Sequence, residues 1–110
     1  MVKLLGSESK TTTTSYTGVM AVAIPENVEM NTIVFQITEN NVNAIKFKIQ
    51  GSNVDTEALY QDLIGETVLA KAGSTYKAIG LPFQYLRVAV KDSVDNSHGN
   101  VTIVATAGIS

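Results

Sequence analysis

The sequence predicts an all-β protein, an antiparallel β-sandwich of jelly-roll or immunoglobulin-like type with about seven or eight strands. Two patterns indicate this class. Apolar and polar residues alternate with a period of two in most apolar runs, and turn-forming residues separate these runs at short intervals. The length of 110 residues is that of one domain with its own core. We therefore expect a single sandwich domain over residues 16–110.

The first fifteen residues differ from the rest. Residues 6–15 read GSESKTTTTS and contain no apolar side chain. Such a segment predicts a flexible N-terminal arm, residues 1–15, which is either a frayed terminus or an added strand on a partner. The β-propensity of threonine suits the second alternative. The candidate partner contacts are therefore Thr11, Thr12, Thr13 and Thr14.

Five apolar runs predict the main strands. Residues 16–24 (YTGVMAVAI) are apolar on both faces, which predicts a central strand or an edge strand buried against a neighbour. The other runs have one apolar set each: Ile33, Phe35 and Ile37; Ile45, Phe47 and Ile49; Leu86, Val88 and Val90; Val101, Ile103 and Ala105. We expect these sets to face one core. The residues expected to be buried together are Phe47, Ile49, Leu86, Val88 and Ile103.

Turn-forming clusters lie between the runs, at residues 25–27, 39–41, 51–53, 72–74, 80–82 and 95–99. The turn at 51–53 precedes residues 55–65 (DTEALYQDLIG), which fit either a short helix stopped by Gly65 or a loop followed by a strand. In the turn at 95–99 we expect His98 to lie in a hairpin in which Gly99 takes a positive φ.

Composition excludes several classes of function. Charged residues make up 16% of the chain, fewer than is typical, and the net charge is −2. The lysines and arginines do not cluster, so the basic stripe of a nucleic-acid-binding protein is missing. No run approaches the roughly 20 apolar residues of a membrane span, and no secretory signal pattern is present. We expect a soluble protein that binds neither nucleic acid nor membrane, with part of its surface covered by copies of itself.

The residue types predict no enzyme and no cofactor. There is no cysteine, and the single histidine, His98, has no serine-nucleophile motif to serve. Asp55, Glu57 and Asp62, with Asn53, offer fewer oxygen ligands than calcium requires and lack the EF-hand pattern. We therefore expect no catalytic residue and no metal site.

Tyr60, Tyr85 and Arg87 are the remaining candidates for ligand contact. Alternation places Tyr85 and Arg87 on the face opposite the core-directed Leu86. Exposed tyrosines beside an arginine stack on sugars or dock against protein. The alternative is packing between neighbouring strands on the face of a sheet.

Part of the chain resembles discoidin or galactose-binding-like β-sandwich modules, in which a GSND turn precedes a late Y-x-R-V strand. Gly51, Ser52 and Asn53 match the turn, and residues 85–88 match the strand. Tyr60 stands where those modules often carry tryptophan, although Val54 interrupts the turn motif. The resemblance implies a carbohydrate-binding module that recognises glycans or a host surface.

The whole chain is more similar to small virion proteins of tailed bacteriophages, which are cysteine-free sandwiches rich in Thr, Val and Ala. The residues that carry this likeness are VKDSV at 90–94 and HGNVTI at 98–103. The resemblance implies a structural protein of the virion, made in the host cytoplasm, that decorates the head. It further implies a symmetric homo-oligomer, with a trimer favoured, bound to the major capsid protein or another virion protein.

Overall fold

The structure, a computed structural model, describes residues 1–25, 28–79 and 83–109. The elements are β1 (Val2–Thr11), β2 (Thr17–Ala23), β3 (Val28–Glu39), β4 (Ile45–Ser52), a 3-10 turn (Glu57–Leu59), β5 (Gln61–Leu69), β6 (Ser74–Ile79), β7 (Tyr85–Asp92) and β8 (Asn100–Ile109). Within these ranges no helix is long and apolar enough to cross a membrane. Of the predicted turns, the one at 25–27 lies outside the described ranges except for Pro25, and the one at 80–82 lies outside them entirely.

The strands form two four-stranded antiparallel sheets. The first sheet has the order β1-β8-β3-β6 and the second has the order β2-β7-β4-β5. The antiparallel pairs β4·β5, β3·β6, β2·β7 and β1·β8 are nested, and successive pairs belong to alternate sheets. The chain is thus one long hairpin rolled into a sandwich, which is the eight-stranded jelly roll. The predicted all-β sandwich is confirmed, and the jelly roll is the form that it takes.

The core lies between the inward faces of the two sheets. The predicted core residues Phe47, Ile49, Leu86, Val88 and Ile103 are all 0% exposed and belong to one cluster. Side chains alternate across a strand, so the apolar residues at every second position of the described parts of β3, β4, β7 and β8 enter this cluster. The prediction that these five residues are buried together is confirmed.

Residues 2–11 of the segment predicted as an arm, residues 1–15, instead form strand β1 at the edge of the first sheet. It pairs antiparallel with β8, from Val2 opposite Gly108 to Thr11 opposite Asn100. Leu5 is the side chain of β1 that packs against the core. Because main-chain hydrogen bonds to β8 hold an edge strand, it needs no apolar alternation, and the hydrophobic pattern did not reveal it.

Of the two alternatives for residues 55–65, the structure shows the loop followed by a strand, and one turn boundary differs from its prediction. Residues 55–65 hold only the 3-10 turn Glu57–Leu59 as helical structure, and Gly65 lies inside β5. Strand β4 continues through Ser52, so the turn predicted from Gly51 begins at Asn53. Gly51 is required for packing, because a Cβ atom there would lie about 3 Å from the side chains of Leu63 and Phe83.

The residues around His98 do not form a hairpin. They connect β7 in the second sheet with β8 in the first, as the jelly-roll order requires. The positive φ of this connection, 66°, belongs to Asn96, and none of the described glycines has one. The run at 16–24 is β2, an edge strand that pairs with β7.

Candidate functional site

The predicted contact residues form two clusters, not one. Tyr85 and Arg87 lie at the start of β7 with Tyr60 beside them, whereas Thr12 and Thr13 contact the other end of this strand. The strand rise of about 3.3 Å per residue separates the two ends by roughly 20 Å. A single ligand site composed of all these residues is therefore not present.

Thr12 is part of the scaffold. It is 1% exposed, its Oγ1 donates to Asp92 Oδ1 at 2.6 Å, and the same oxygen accepts from the Gly99 N–H at 2.8 Å. Its own N–H donates to the Gly99 carbonyl at 2.8 Å. Thr12 thus connects the end of β1 to β7 and to Gly99, the residue before β8, while Thr11, Thr13 and Thr14 are exposed.

Asp92 is the buried centre of this end cluster. It is 0% exposed, and its second oxygen lies 2.9 Å from Nδ1 of His98, whose side chain is half exposed. Burial by itself would raise the pKa of Asp92, but the hydrogen bonds from Thr12 and His98 outweigh burial and lower it. The predicted structural role of the His98 segment therefore rests on a buried carboxylate.

A second buried carboxylate, Glu39, lies at the same end of the sandwich and is 1% exposed. Its oxygens accept from the backbone N–H groups of Ala72 at 2.9 Å, Val42 at 3.0 Å and Asn100 at 3.1 Å. Burial raises the pKa of Glu39, but these backbone donors outweigh burial, and the net shift is downward. Glu39 thereby joins three connections of the jelly roll at one point.

Sequence reasoning missed both carboxylates, although the alternation contained the signal. Glu39 continues the inward set of Ile37, and Asp92 continues the inward set of Val90. An acid at the inward position next to a turn has the exposed backbone donors of that turn within reach. Both residues were therefore identifiable from the period of two.

The second cluster, around Arg87, lies at the other end of β7. Its two central side chains are shielded from solvent. Arg87 is 7% exposed and Tyr60 is 9% exposed. The guanidinium lies 4.0 Å from the centre of the Tyr60 ring, and its Nε donates to Gln50 Oε1 at 2.8 Å. The sequence placed Arg87 correctly on the outward face, and the burial of Tyr60 and Arg87 fits the alternative of packing on the sheet face, not that of exposed contact residues. They are buried because each covers the other.

Gly18 and Glu57 complete this cluster. A Cβ atom at residue 18 would lie 2.7 Å from Nη1 of Arg87, so glycine gives the guanidinium its space. Glu57, in the 3-10 turn, pairs with both terminal nitrogens of Arg87, and this contact lowers the pKa of Glu57. The acids considered for calcium thus have protein partners, and Asp55 accepts from the Tyr60 hydroxyl at 2.7 Å.

The outward face of the second sheet, named the charged face here, continues this pattern. Its charged and aromatic members are Tyr16, Lys46, Lys48, Glu57, Asp62, Glu66, Tyr85, Arg87 and Lys91. The Lys48 ammonium lies 3.1 Å from Asp62 and 4.5 Å from the centre of the Tyr16 ring. The Tyr16 hydroxyl donates to Glu66 at 2.7 Å. Long side chains of neighbouring strands therefore pair with one another along this face.

The outward face of the first sheet, named the uncharged face, is different. Its central strands contribute Asn100, Thr102, Val104, Thr106 and Gly108 from β8, with Val34, Gln36 and Thr38 from β3. Its edge strands contribute Val2, Leu4, Ser7, Ser9 and Thr11 from β1, with Ser74, Tyr76 and Ala78 from β6. Among the side chains that the structure describes on this face, none is charged.

Short polar groups on the uncharged face hydrogen-bond to one another across strands. The hydroxyls of Ser9 and Thr102 lie 2.8 Å apart, and those of Thr38 and Ser74 lie 3.0 Å apart. The large exposed hydrophobic side chains described on this face are at the edges: Val2 at 76%, Tyr76 at 73% and Leu4 at 60%. The face is therefore a sheet of small, mutually bonded groups with apolar residues along its two edges.

Solved structures share this fold. The chain is similar to the structure described as "Crystal structure of PirA", with 17% identity and a TM-score of 0.64 over 90% of this chain and 92% of that chain. It is also similar to a Bacillus endospore appendage protein of "a novel family of disulfide-linked pili", with 9% identity and a TM-score of 0.54. That match covers 100% of this chain and 88% of the other.

A third similar structure is the coat protein of Tobacco streak virus, with 9% identity, a TM-score of 0.46, and coverage of 94% of this chain and 87% of that chain. Neither protein-family models nor curated proteins give a match to the chain. At such identities the likeness shows the fold alone, because one fold hosts many functions. The resemblances to phage virion proteins and galactose-binding-like modules stay predictions.

Proposed function

We propose that this protein is a non-enzymatic structural subunit that works as a homo-oligomer in an assembled particle. The uncharged face carries the proposal. Charged residues are depleted at the centres of protein interfaces, and an extended face without charge is a surface suited to being covered by protein. Only 16% of the residues are charged, and none of those whose side chains are described lies on this face.

The polar residues of the interior support a structural role. Glu39, Asp92 and Arg87 are buried, and each is hydrogen-bonded to parts of the scaffold that it joins. No described buried side-chain nitrogen or oxygen is left without a partner. The polar atoms of these three side chains form hydrogen bonds that join connections and strands of the sandwich.

The finer form of the proposal is a bacteriophage virion protein that decorates the head, bound to the major capsid protein or another virion protein. The residues VKDSV and HGNVTI, with their likeness to small phage virion proteins, support this form. The fold shared with an appendage protein described as forming pili is compatible with repeated assembly. The chain has no cysteine, so its copies would be joined without disulfides.

The test is to follow the protein through purification of particles from cells that produce it. An antibody against the chain should detect it in the particle fractions of a density gradient, at many copies per particle. An abundant cytoplasmic protein of the same cells is the control for carry-over. Detection only in the unassembled fractions would contradict the proposal.

A carbohydrate-binding role is the second candidate, and the charged face is the observation that favours it. Tyr16 and Tyr85 are partly exposed there, beside Gln50 and Lys48. Aromatic rings next to polar side chains are typical of sugar contacts. A glycan array probed with the wild-type protein and with Tyr85→Ala decides it, since loss of a specific signal in the variant would support binding at this face. Absence of any signal for the wild type would remove this candidate.

A further inference from the structure

We infer that the uncharged face is the contact between two copies of this chain, which pair face to face around a two-fold axis. The inference rests on the proposed function and names the surface of the homo-oligomer. The first observation is that, among the described side chains, the charged ones of the two outward faces lie on the second sheet. The charged face carries at least Lys46, Lys48 and Lys91, and a copy docked there would have to bury them.

The four edge strands are protected against pairing with another chain, which leaves the faces. In β1 the pairing register shifts between Leu4 and Gly6, and its inward side carries charges. The inward-directed charges of the first sheet's edge strands are Lys3, Glu8 and Lys10 in β1 and Lys77 in β6. Bulges and inward charges are the devices by which edge strands resist strand addition.

The edges of the second sheet are irregular too. In β2 the register shifts between Val19 and Val22, where Met20 takes a φ of 59°. The N–H of Met20 donates to Glu8 of β1 at 3.0 Å, so this donor is occupied within the chain. In β5 the register shifts on both sides of the residue opposite Ile49. These irregularities oppose the formation of a regular hydrogen-bond ladder between β2 or β5 and a strand of a second chain.

Removal of water from the uncharged face should cost little free energy. Its hydroxyl groups already bond to one another, Ser9 with Thr102 and Thr38 with Ser74, and Asn100 Oδ1 accepts at 2.7 Å from Nδ2 of Asn40, the residue after β3. Burial of such pairs leaves fewer unsatisfied groups than burial of groups that bond only to water. Short side chains such as serine, threonine and valine also lose little rotamer entropy on contact.

A copy of the same face is the occupant that this chemistry fits. Because none of the described side chains on this face is charged, two copies meet there without like-charge repulsion among those side chains, and an isologous contact closes at two subunits. Ten-residue strands in a four-stranded sheet give a face of roughly 30 by 20 Å, or about 600 Å², from strand rise and spacing. Two such faces bury about 1,200 Å², at the lower end of specific interfaces, so we expect a Kd on the order of micromolar or weaker.

The middle row of the face gives the test. Gln36 pairs with Val104 on one side and Tyr76 on the other, which places it at the centre, where a two-fold axis would pass. The test uses two variants, Gln36→Lys and Gln36→Glu. In a dimer of either variant, the residues at position 36 of the two copies would carry like charges close to each other. Gln36 is exposed, so neither substitution removes a core contact. The matched control is Val68→Lys, at an exposed position on the charged face.

Sedimentation velocity over a concentration series measures the outcome. We expect the wild type and Val68→Lys to dimerise, each Gln36 variant alone to remain monomeric, and a mixture of the two variants to recover a dimer. Thermal unfolding of each variant checks that the fold is intact. A wild type that stays monomeric at millimolar concentration overturns the inference, as does a trimer or other oligomer that Gln36→Lys leaves unchanged. In the latter case the protein still self-assembles, so the proposed function stands and only the face is wrong.

Discussion

The two outward faces of the sandwich differ in where their side chains find partners. On the charged face, long side chains reach across strands and pair on the same sheet, so that Arg87 is 7% exposed although it points outward. On the uncharged face most side chains are short, and the longer Gln36 and Tyr76 remain exposed. The total number of charges on a chain therefore says less about its surface than their distribution between two faces.

The comparison separates two kinds of stabilisation. Contacts such as those of Arg87 with Tyr60 and Gln50 stabilise the single chain, because both partners are already in place. The groups of the uncharged face bond to close neighbours and leave an exposed area, whose burial can stabilise only an association. Substitutions on the two faces should therefore affect different measurements.

The largest effect is expected beneath both faces, at Phe47. Phe47→Ala removes a fully buried ring from the shared core and should lower the free energy of unfolding by about 3–5 kcal/mol. Denaturant unfolding followed by circular dichroism and by tyrosine fluorescence measures the loss. The exposed Val94→Ala is the control, with a change within about 0.5 kcal/mol. Two separate transitions would mean that the sheets unfold independently, and the comparison of two faces of one unit would fail.

The next largest effect is expected at Glu39, which is buried and belongs to neither outward face. Its substitution therefore serves as a reference for substitutions on the two faces. Glu39→Gln turns an amide donor toward backbone donors, and near neutral pH it should cost about 2–4 kcal/mol. The pKa of Glu39 is lower in the folded protein than its ordinary value of 4.5. Its charge therefore contributes stability above that value, which is lost as the pH falls through the folded pKa.

Urea unfolding of wild type and Glu39→Gln between pH 7 and pH 2 measures this dependence. The difference between them should be largest near neutral pH and should shrink in acid. Because the carboxylate is buried, added salt should change the difference little. A difference that stays constant down to pH 2 would show that the charge of Glu39 is not what stabilises the connections.

A smaller effect is expected on the charged face itself. Arg87→Ala removes the ring contact with Tyr60 and the bond to Gln50 and should cost about 1–2 kcal/mol. Arg87→Lys keeps the charge but loses the planar contact, so its cost should be intermediate. Glu57→Gln is the matched control, since the exposed partner of the pair should contribute less than about 1 kcal/mol. If Glu57→Gln equals Arg87→Ala, the exposed ion pair is the source of stability and the packing argument is wrong.

The smallest effect on the single chain is expected on the uncharged face. Thr102→Ala removes a hydroxyl that bonds to Ser9, and at low protein concentration it should change the free energy of unfolding by less than about 1 kcal/mol. Ser9→Ala tests the other partner of the same contact. Chemical unfolding at micromolar protein keeps association out of the measurement. A loss as large as that of Arg87→Ala would show that both faces stabilise the monomer, and the comparison would lose its basis.

Local pattern alone determined much of the fold. The period of two in the runs around Phe35, Phe47 and Val88 predicted which residues enter the core, because successive side chains of a strand point to opposite faces. The same period contained the inward positions of Glu39 and Asp92. It also placed Arg87 on the outward face.

The sequence by itself therefore determined the class of fold, the inward set and the absence of charge at individual positions of strands such as β8. Only the tertiary structure decided that β1, β8, β3 and β6 lie side by side, which turns those positions into one uncharged face. It likewise decided that residues 2–11, the larger part of the predicted arm, form a strand and that Tyr60 covers Arg87. The physical reason is that the period of two is local, whereas strand order in a jelly roll is set by pairings between distant parts of the chain.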